Sequence, residues 1–464
     1  MVATTNKELS SARLLQALSH FPAASRYWIA YSGGLDSHVM LHAMATLRSA
    51  LPGVKIHAVH VDHGLQSCSA EWSRHCETVC AAMQIPCNSL TINAHPKSGE
   101  SPEAAARDAR YQAIAALIEE GDCLLTAHHQ DDQAETLLLQ LLRGAGPHGL
   151  ASMPECTVFG NGLHARPLLG FTQSDLRAYA QAHDLHWIDD QSNRNTDFNR
   201  NYLRHEIMPR LRARWPAVVR TLSRSASHAA EAAHLLDDLA QADLRWVRGI
   251  TDDPSAACAL TISRPKPAHD TLFIPRLCEL NAVRQRNVLR AWFHQLNLPL
   301  PNAVHIAHIL NDVLIAAEDS MPCLRWPGAE LRRYREHIYA MRPLLAHDPA
   351  VILPWDMQGA LPLPADLGTL ITTLAQGQGL KASLRGASNI TVRFRQGGEH
   401  CRPADRGHTH ELRKLFQEAG IPPWQRQRMP LIYVGDDLAA VGDLWVCEPF
   451  QAVGKESGIM ILEI

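Results

Sequence analysis

What this chain has least of is net charge. Its 44 Lys and Arg against 47 Asp and Glu leave −3 over 464 residues. No global field marks it as a nucleic-acid binder, so any such surface must be local. Its eleven cysteines include no C-x-x-C pair, Cys76 and Cys80 being four apart. That pattern argues against a zinc site built on paired thiolates and against a disulfide framework. It predicts reduced thiols in a cytosolic protein. A charged start followed by an apolar core is missing, so no signal peptide is expected, and no uncharged apolar stretch reaches membrane-spanning length. The G-x-x-x-x-G-K-S/T string of the common P-loop is also missing.

What is present is an ordinary globular balance, 46% hydrophobic and 20% charged, at a length that suits two to four domains. Apolar runs at residues 26–31, 55–61, 88–92, 123–127 and 186–188 read as strands. They alternate with helical patterns near residues 37–49, 70–83, 102–119, 131–143 and 172–183. Such alternation predicts an α/β domain over residues 1–215, a doubly wound parallel sheet with helices on both faces. Ligands of such sheets sit beyond the carboxyl ends of the strands. Residues 216–345 read as a helical substrate domain, with apolar residues at helical spacing through 281–293. Residues 346–385, rich in proline and leucine, read as a linker or a short β element. Residues 386–464 read as a small α+β domain, short strands around one helix at 409–418.

The densest signal is Ser32-Gly33-Gly34-Leu35-Asp36-Ser37, which follows the first apolar run directly. A strand entering a Gly-Gly turn and then a helix makes an anion site. Glycine allows close backbone approach, and the N–H groups of the turn and helix point at the anion. Ser32 and Ser37 can donate hydroxyl hydrogen bonds, and Asp36 can hold a divalent cation against phosphates. The string is similar to the PP-loop of the ATP pyrophosphatases, which cleave ATP between its α and β phosphates.

Three further clusters carry chemistry. Asp131, Asp132, Glu135 and Thr136 open a helix just after His128 and His129, at a strand end on the same side as the Gly-Gly turn. Arg107 and Tyr111, at i and i+4, share a helix face with Arg110 nearby. This is either a solvated basic face or a guanidinium fork aimed at a phosphate. The polar stretch 189–205 carries Arg200 and Arg204 and runs on into Arg210, Arg212, Arg214, Arg220 and Arg224. It is the best local nucleic-acid footprint in the chain. Near the C-terminus Arg402, Arg406, Arg413 and Lys414 could clamp a phosphate backbone or form a solvated face, while Phe416 should be core.

Taken in order, these strings resemble the tRNA(Ile)-lysidine synthetase family. They are SGGLDS at 32–37, EAAARDARY at 103–111, TAHHQDDQAETLLLQLLRG at 126–144, RPLL at 166–169, DDQSNRNTDFNRNYLRH at 189–205, and GGE, RP and LRKLFQEAGIPPW between 397 and 424. The resemblance covers nearly the whole chain, with residues 250–269 looking like a variable insertion. It implies a ligase that joins the side-chain amine of lysine to C2 of the wobble cytidine in the CAU anticodon of tRNA(Ile), through an adenylated cytidine, releasing AMP and pyrophosphate. Codon reading then shifts from AUG to AUA, and charging from methionine to isoleucine. It implies ATP as substrate, magnesium at Asp36, ATP on residues 32–37, catalytic roles for Asp36, Arg107, Asp132 and Glu135, and lysine near Asp132, Glu135 and His128. It implies tRNA contacts from Arg200, Arg204, Arg210, Arg402, Arg406, Arg413 and Lys414, a cytoplasmic location, and a monomer or homodimer. The alternatives are a PP-loop tRNA thiolase, which would need a reactive cysteine, and an amide-forming synthetase for a small metabolite, which would not need the basic tract.

Overall fold

The computed structural model describes residues 8–62, 69–92, 102–189, 194–249, 271–317, 319–403 and 406–463. The expected insertion at 250–269 lies outside them. The chain divides into two compact units, Met1–Leu235 and Leu236–Ile464.

The first unit is built on a six-stranded sheet of order β3-β2-β1-β4-β6-β5. Its strands are β1 (Arg26–Ala30), β2 (Lys55–Asp62), β3 (Cys87–Thr91), β4 (Asp122–Leu125), β5 (Cys156–Phe159) and β6 (Gly162–Ala165). β1 pairs in parallel with β2 and β4, β2 with β3, and β4 with β6. Only β5 runs antiparallel, as a hairpin with β6. Intervening helices are α1 (Ser11–Leu18), α2 (Leu35–Thr46), α3 (Ser69–Ala82), α4 (Pro102–Ala115), α5 (Gln130–Leu142), α6 (Pro147–Leu150) and α7 (Gln173–Ala182). The two faces of the sheet carry separate cores. Ile29, Leu125 and Ala58 pack with Val39, Met40 and Met44 of α2, and Trp28, Val59 and Leu124 pack with Ile114 and Ile118. Helix α2 is buried around most of its surface, Ser37 and His38 included, as a helix pressed against the sheet can be. Each such fully buried Val, Leu or Met contributes about 2 kcal/mol of transfer free energy.

The run at 186–188 is not a strand. The two positions beyond β4 are taken by the β5–β6 hairpin, and the Ile188 N–H donates instead to Gly33 O at 3.0 Å. An apolar run of three residues cannot tell a sheet partner from a loop partner.

In the second unit, residues read as mostly helical also build a four-stranded antiparallel sheet, β7 (Thr271–Phe273), β10 (His337–Met341), β9 (Ala329–Tyr334) and β8 (Cys323–Trp326). It packs on the buried face of the helix Ala282–Gln295 through Trp292, Phe293, Leu331 and Ile338. Alternation in β9 is disguised because a charged residue is buried on each face, Arg333 on the core face with Leu331 and Glu330 on the opposite one. Glu330 is fully buried between Arg325 and Arg332, and Arg333 donates to the carbonyls of Val313 and Leu314.

Residues 346–385 form strands rather than a free linker. The strand Leu353–Pro354 pairs with Ile390–Arg393, and Thr369–Gln376 pairs along its length with the terminal strand Ser457–Glu463. Trp355, Met357, Leu363, Leu370 and Leu380 share one core with Ile390, Val392 and Ile459. The reduced state expected of every thiol is also revised at one pair. Cys401 and Cys447 are disulfide-bonded, with Cα atoms 5.8 Å apart across 46 residues. The bridge between Pro403 and Cys447 and the hydrogen bond from Glu448 N to Arg402 O bring them together, a tertiary contact that sequence spacing does not reveal.

Candidate active site

The PP-loop leaves β1 and enters α2 as strand, turn and helix. Gly33 has φ +81, a left-handed conformation that an L side chain rarely adopts, and a Cβ there would meet Cys76 Sγ at 3.2 Å. Gly34 caps α2 without a side-chain hydrogen bond, so the first-turn N–H groups stay available for an anion. Ser37 behaves differently from expectation. It is buried, and its hydroxyl donates to Gly34 O at 3.0 Å and lies 3.0 Å from Ser32 Oγ. Ser37 therefore stitches the loop shut from within, while Ser32 is exposed.

Helix α5 starts at the end of β4 on the same edge of the sheet. Asp132 folds back over its own N-terminus and accepts from His129 N at 3.0 Å. His129, fully buried, lies between three carboxylates. Its Nε2 is 3.4 Å from both Asp36 Oδ2 and Asp132 Oδ2, and its Nδ1 is 3.7 Å from Asp131 Oδ2. Burial pushes the His129 pKa down, but Asp132, Asp36 and Asp131 outweigh it, and the pKa rises to about 9. His129 is thus an imidazolium at neutral pH, and it links the PP-loop carboxylate to the acids of α5.

Those acids are closed on their other side by a helical segment made of α8 (Asn199–Tyr202), a π turn (Leu203–Ile207) and α9 (Met208–Arg214). Arg200 donates to Glu135 Oε2 and Asp132 Oδ1, both at 3.0 Å. Arg204 donates to Glu135 Oε1 at 2.7 Å, and to Asp132 Oδ1 and Glu135 Oε2 at 2.9 Å. Arg212 pairs with Asp131. Four carboxylates, Asp36, Asp131, Asp132 and Glu135, are matched by His129 and three guanidinium groups. Burial would raise the Asp132 pKa, but His129, Arg200 and Arg204 hold it well below the usual carboxylate range. Arg204, lowered by burial, is raised on balance by Glu135 and Asp132.

Arg200 and Arg204, expected as tRNA contacts, spend their guanidinium groups on acids. The π turn sets the two arginines on one face. Arg210 is a different case, 82% exposed and only weakly paired with Glu206 at 3.7 Å. Arg214, Arg220 and Arg224 are also exposed. In the second unit Arg402 pairs with Glu448 at 3.2 Å and Arg406 pairs with Glu418. Arg413 and Lys414 are exposed on the helix Leu412–Glu418, whose other face buries Leu412, Leu415 and Phe416. Phe416 is core, as its spacing predicts.

Arg107 is exposed, with its guanidinium 5.0 Å from the centre of the Tyr111 ring. Behind it lies a cationic wall of Arg110, grouped with Arg107 in the sequence, and Arg166, whose role the sequence does not reveal. Arg166 is 8% exposed and donates to His164 Nδ1 at 3.2 Å and to Pro154 O at 2.7 Å. The Nε atoms of Arg166 and Arg110 are buried without a hydrogen bond. Burial lowers the pKa of both groups. The string RPLL carried Arg166 but gave no sign that its partners would be a histidine and a carbonyl.

Known proteins match this chain along most of its length. Residues 6–211 match the PP-loop domain family, residues 272–339 the TilS substrate binding domain and residues 390–463 the TilS substrate C-terminal domain. The tRNA(Ile)-lysidine synthase of Coxiella burnetii is 45% identical over 96% of this chain and 95% of its own length. That of Methylococcus capsulatus is 41% identical over 94% and 96%. Among solved structures, the U34-tRNA thiolase NcsA from Methanococcus maripaludis overlaps 48% of this chain and 78% of its own at a TM-score of 0.41 and 14% identity. With identity of this level running from the PP-loop to the C-terminal strands, the chain belongs to the tRNA(Ile)-lysidine synthase family.

Proposed function

We propose that this enzyme ligates lysine to C2 of the wobble cytidine of tRNA(Ile) in two steps, with ATP as the activating substrate. The observation that carries the reading is the buried His129 contact, which couples the PP-loop carboxylate Asp36 to the acid pair Asp132 and Glu135. An ATP-cleaving loop and a cation-binding acid pair thus share one wall. Neither the thiolase nor the metabolite synthetase accounts for the match along the whole chain to lysidine synthases.

In the first step the cytosine C2 oxygen attacks the α-phosphorus and pyrophosphate leaves, turning a poor leaving group into AMP. The N–H groups of residues 33–37 would hold the β and γ phosphates. Asp36 Oδ1 is buried and makes no hydrogen bond, which suits a magnesium ligand. No group of three or more His, Cys, Asp or Glu among the described residues forms a protein-only metal cage, which fits an ion held by one carboxylate and the nucleotide. Bound there, magnesium would offset the charge of the leaving pyrophosphate. Arg107 would steady charge on the α-phosphate.

In the second step the lysine amine attacks C2 and AMP leaves. The ammonium would enter the acid pair at Asp132 and Glu135, sharing those oxygens with the guanidinium groups already there. His129, Arg200 and Arg204 favour the ionised form of Asp132, which suits it to anchor the ammonium, with the proton passing to the acid pair of Asp132 and Glu135. The wobble base must leave the stack to be reached, which suits a single-stranded anticodon loop. Exposed Arg210, Arg413 and Lys414 would contact tRNA phosphates. A cytoplasmic location follows from the supply of ATP and tRNA.

The test is incorporation of labelled lysine into an isoleucine tRNA transcript with anticodon CAU, with ATP and magnesium, against the methionine tRNA. Label in the first alone supports the reading. AMP release without label in either would overturn it.

A further inference from the structure

A second histidine at this edge of the sheet is governed by groups with no role so far. Thr126 follows β4, and its Oγ1 lies 2.8 Å from both His128 Nδ1 and His164 Nε2. Arg166, just after β6, lies 3.2 Å from His164 Nδ1 through its Nη2. Each link in this row has a direction. A guanidinium nitrogen only donates, so His164 Nδ1 accepts, and a neutral His164 carries its proton on Nε2. That N–H donates to Thr126 Oγ1. Thr126 is 6% exposed, and its hydroxyl hydrogen has one acceptor among the described contacts, His128 Nδ1. A buried hydroxyl left without an acceptor costs about 1–3 kcal/mol, which fixes the last link.

We infer that Arg166, His164 and Thr126 are positioning residues that lock His128 as a neutral imidazole with its proton on Nε2, offered as a hydrogen-bond donor to an anionic oxygen of the adenylated substrate. So locked, His128 has no free ring nitrogen to accept a proton, since Nδ1 is engaged by Thr126 and Nε2 already carries one. It also gives the buried Arg166 a purpose other than pairing with an acid.

The surroundings agree. Burial, with Arg166, Arg200 and Arg107 opposing a second proton and Asp132 favouring it, lowers the His128 pKa to about 3. Burial with Arg166, His128 and Arg107 does the same for His164. A row that stays neutral keeps its direction. A cationic wall around a neutral donor favours a phosphoryl oxygen over a lysine ammonium as the thing received. The identity of that oxygen rests on the reaction proposed above; the tautomer does not.

The test separates the two. Long-range proton–nitrogen NMR of the histidine-labelled full chain reads the tautomer of each ring, with His128 assigned by the signal lost in His128→Gln. The expected wild-type pattern is the Nε2–H tautomer, unprotonated down to about pH 5. Thr126→Val should mix the tautomers, and Thr126→Ser should restore them. In the lysine-incorporation assay Thr126→Val should lower kcat about tenfold with little change in the lysine KM, and Thr126→Ser should recover most of it. An Nδ1–H wild-type ring, or a tautomer unmoved by Thr126→Val, overturns the lock. A shifted tautomer with unchanged kcat overturns its use in the reaction. Absence of lysine incorporation by the wild type would instead remove the reaction and leave the tautomer standing.

Discussion

Arg204→Ala should loosen the acid cluster more than any single surface change. Arg204 makes three hydrogen bonds of 2.7 to 2.9 Å to Glu135 and Asp132, and the Glu135 side chain is only 3% exposed. Its removal strips Glu135 Oε1 of its donor. Breaking a fully buried ion pair from one side costs roughly 3–5 kcal/mol. The Arg204 side chain is 29% exposed, so water screens part of the loss, and about 2–3 kcal/mol is the discounted figure. Arg204→Lys keeps the charge but not the fork, and should cost about half as much. The assay is native-state hydrogen exchange of the α5 backbone, which reports on this helix whether or not the two units unfold together. A loss of 2–3 kcal/mol means exchange about 30- to 150-fold faster. In a double-mutant cycle with Glu135→Ala the coupling should be about 1–2 kcal/mol. If Arg204→Ala exchanges within about threefold of wild type and the coupling is zero, the contacts behave as a solvated surface pair and the charge-balanced cluster is wrong.

Other predictions follow from the same geometry. In magnesium-free protein His129, raised from 6.5 to about 9, contributes stability that is fully present below about pH 6.5 and is lost as pH rises through 9. The loss should be about 3 kcal/mol in urea titrations, and His129→Gln should flatten it. Gly33→Ala forces an L side chain to φ +81 against Cys76 Sγ. It should cost about 1–2 kcal/mol and weaken ATP binding at least tenfold in a nucleotide titration. Replacing Arg210, Arg220 and Arg224 together should reduce the salt slope of tRNA binding by about 2–3 without altering ATP affinity, and an unchanged slope would make that face a merely solvated one.

The sheet and its site were legible from local patterns because strand, turn and helix alternate on a scale shorter than a domain. The same is true of the Gly-Gly turn, whose positive φ at Gly33 requires no tertiary knowledge. What escaped reading depends on partners far away in the chain. Arg200 and Arg204 lie 65 or more residues from the acids they bind, and a basic tract looks alike whether its charges face phosphates or carboxylates. Glu330 and Arg333 made a strand look non-alternating because their charges are satisfied internally. Arg166 stands out in the sequence only as part of the string RPLL, since nothing local hints that it would order two histidines through a threonine.

The hydrogen bond from Ile188 N to Gly33 O is made of main chain on both sides. Side-chain drift at position 188 therefore cannot erase it, and the residue is free to change size as long as it keeps its amide hydrogen. Proline alone among the twenty residues lacks that hydrogen. The latch on the nucleotide loop is thus inherited through backbone geometry, and a lineage could vary everything it displays there without losing the hold.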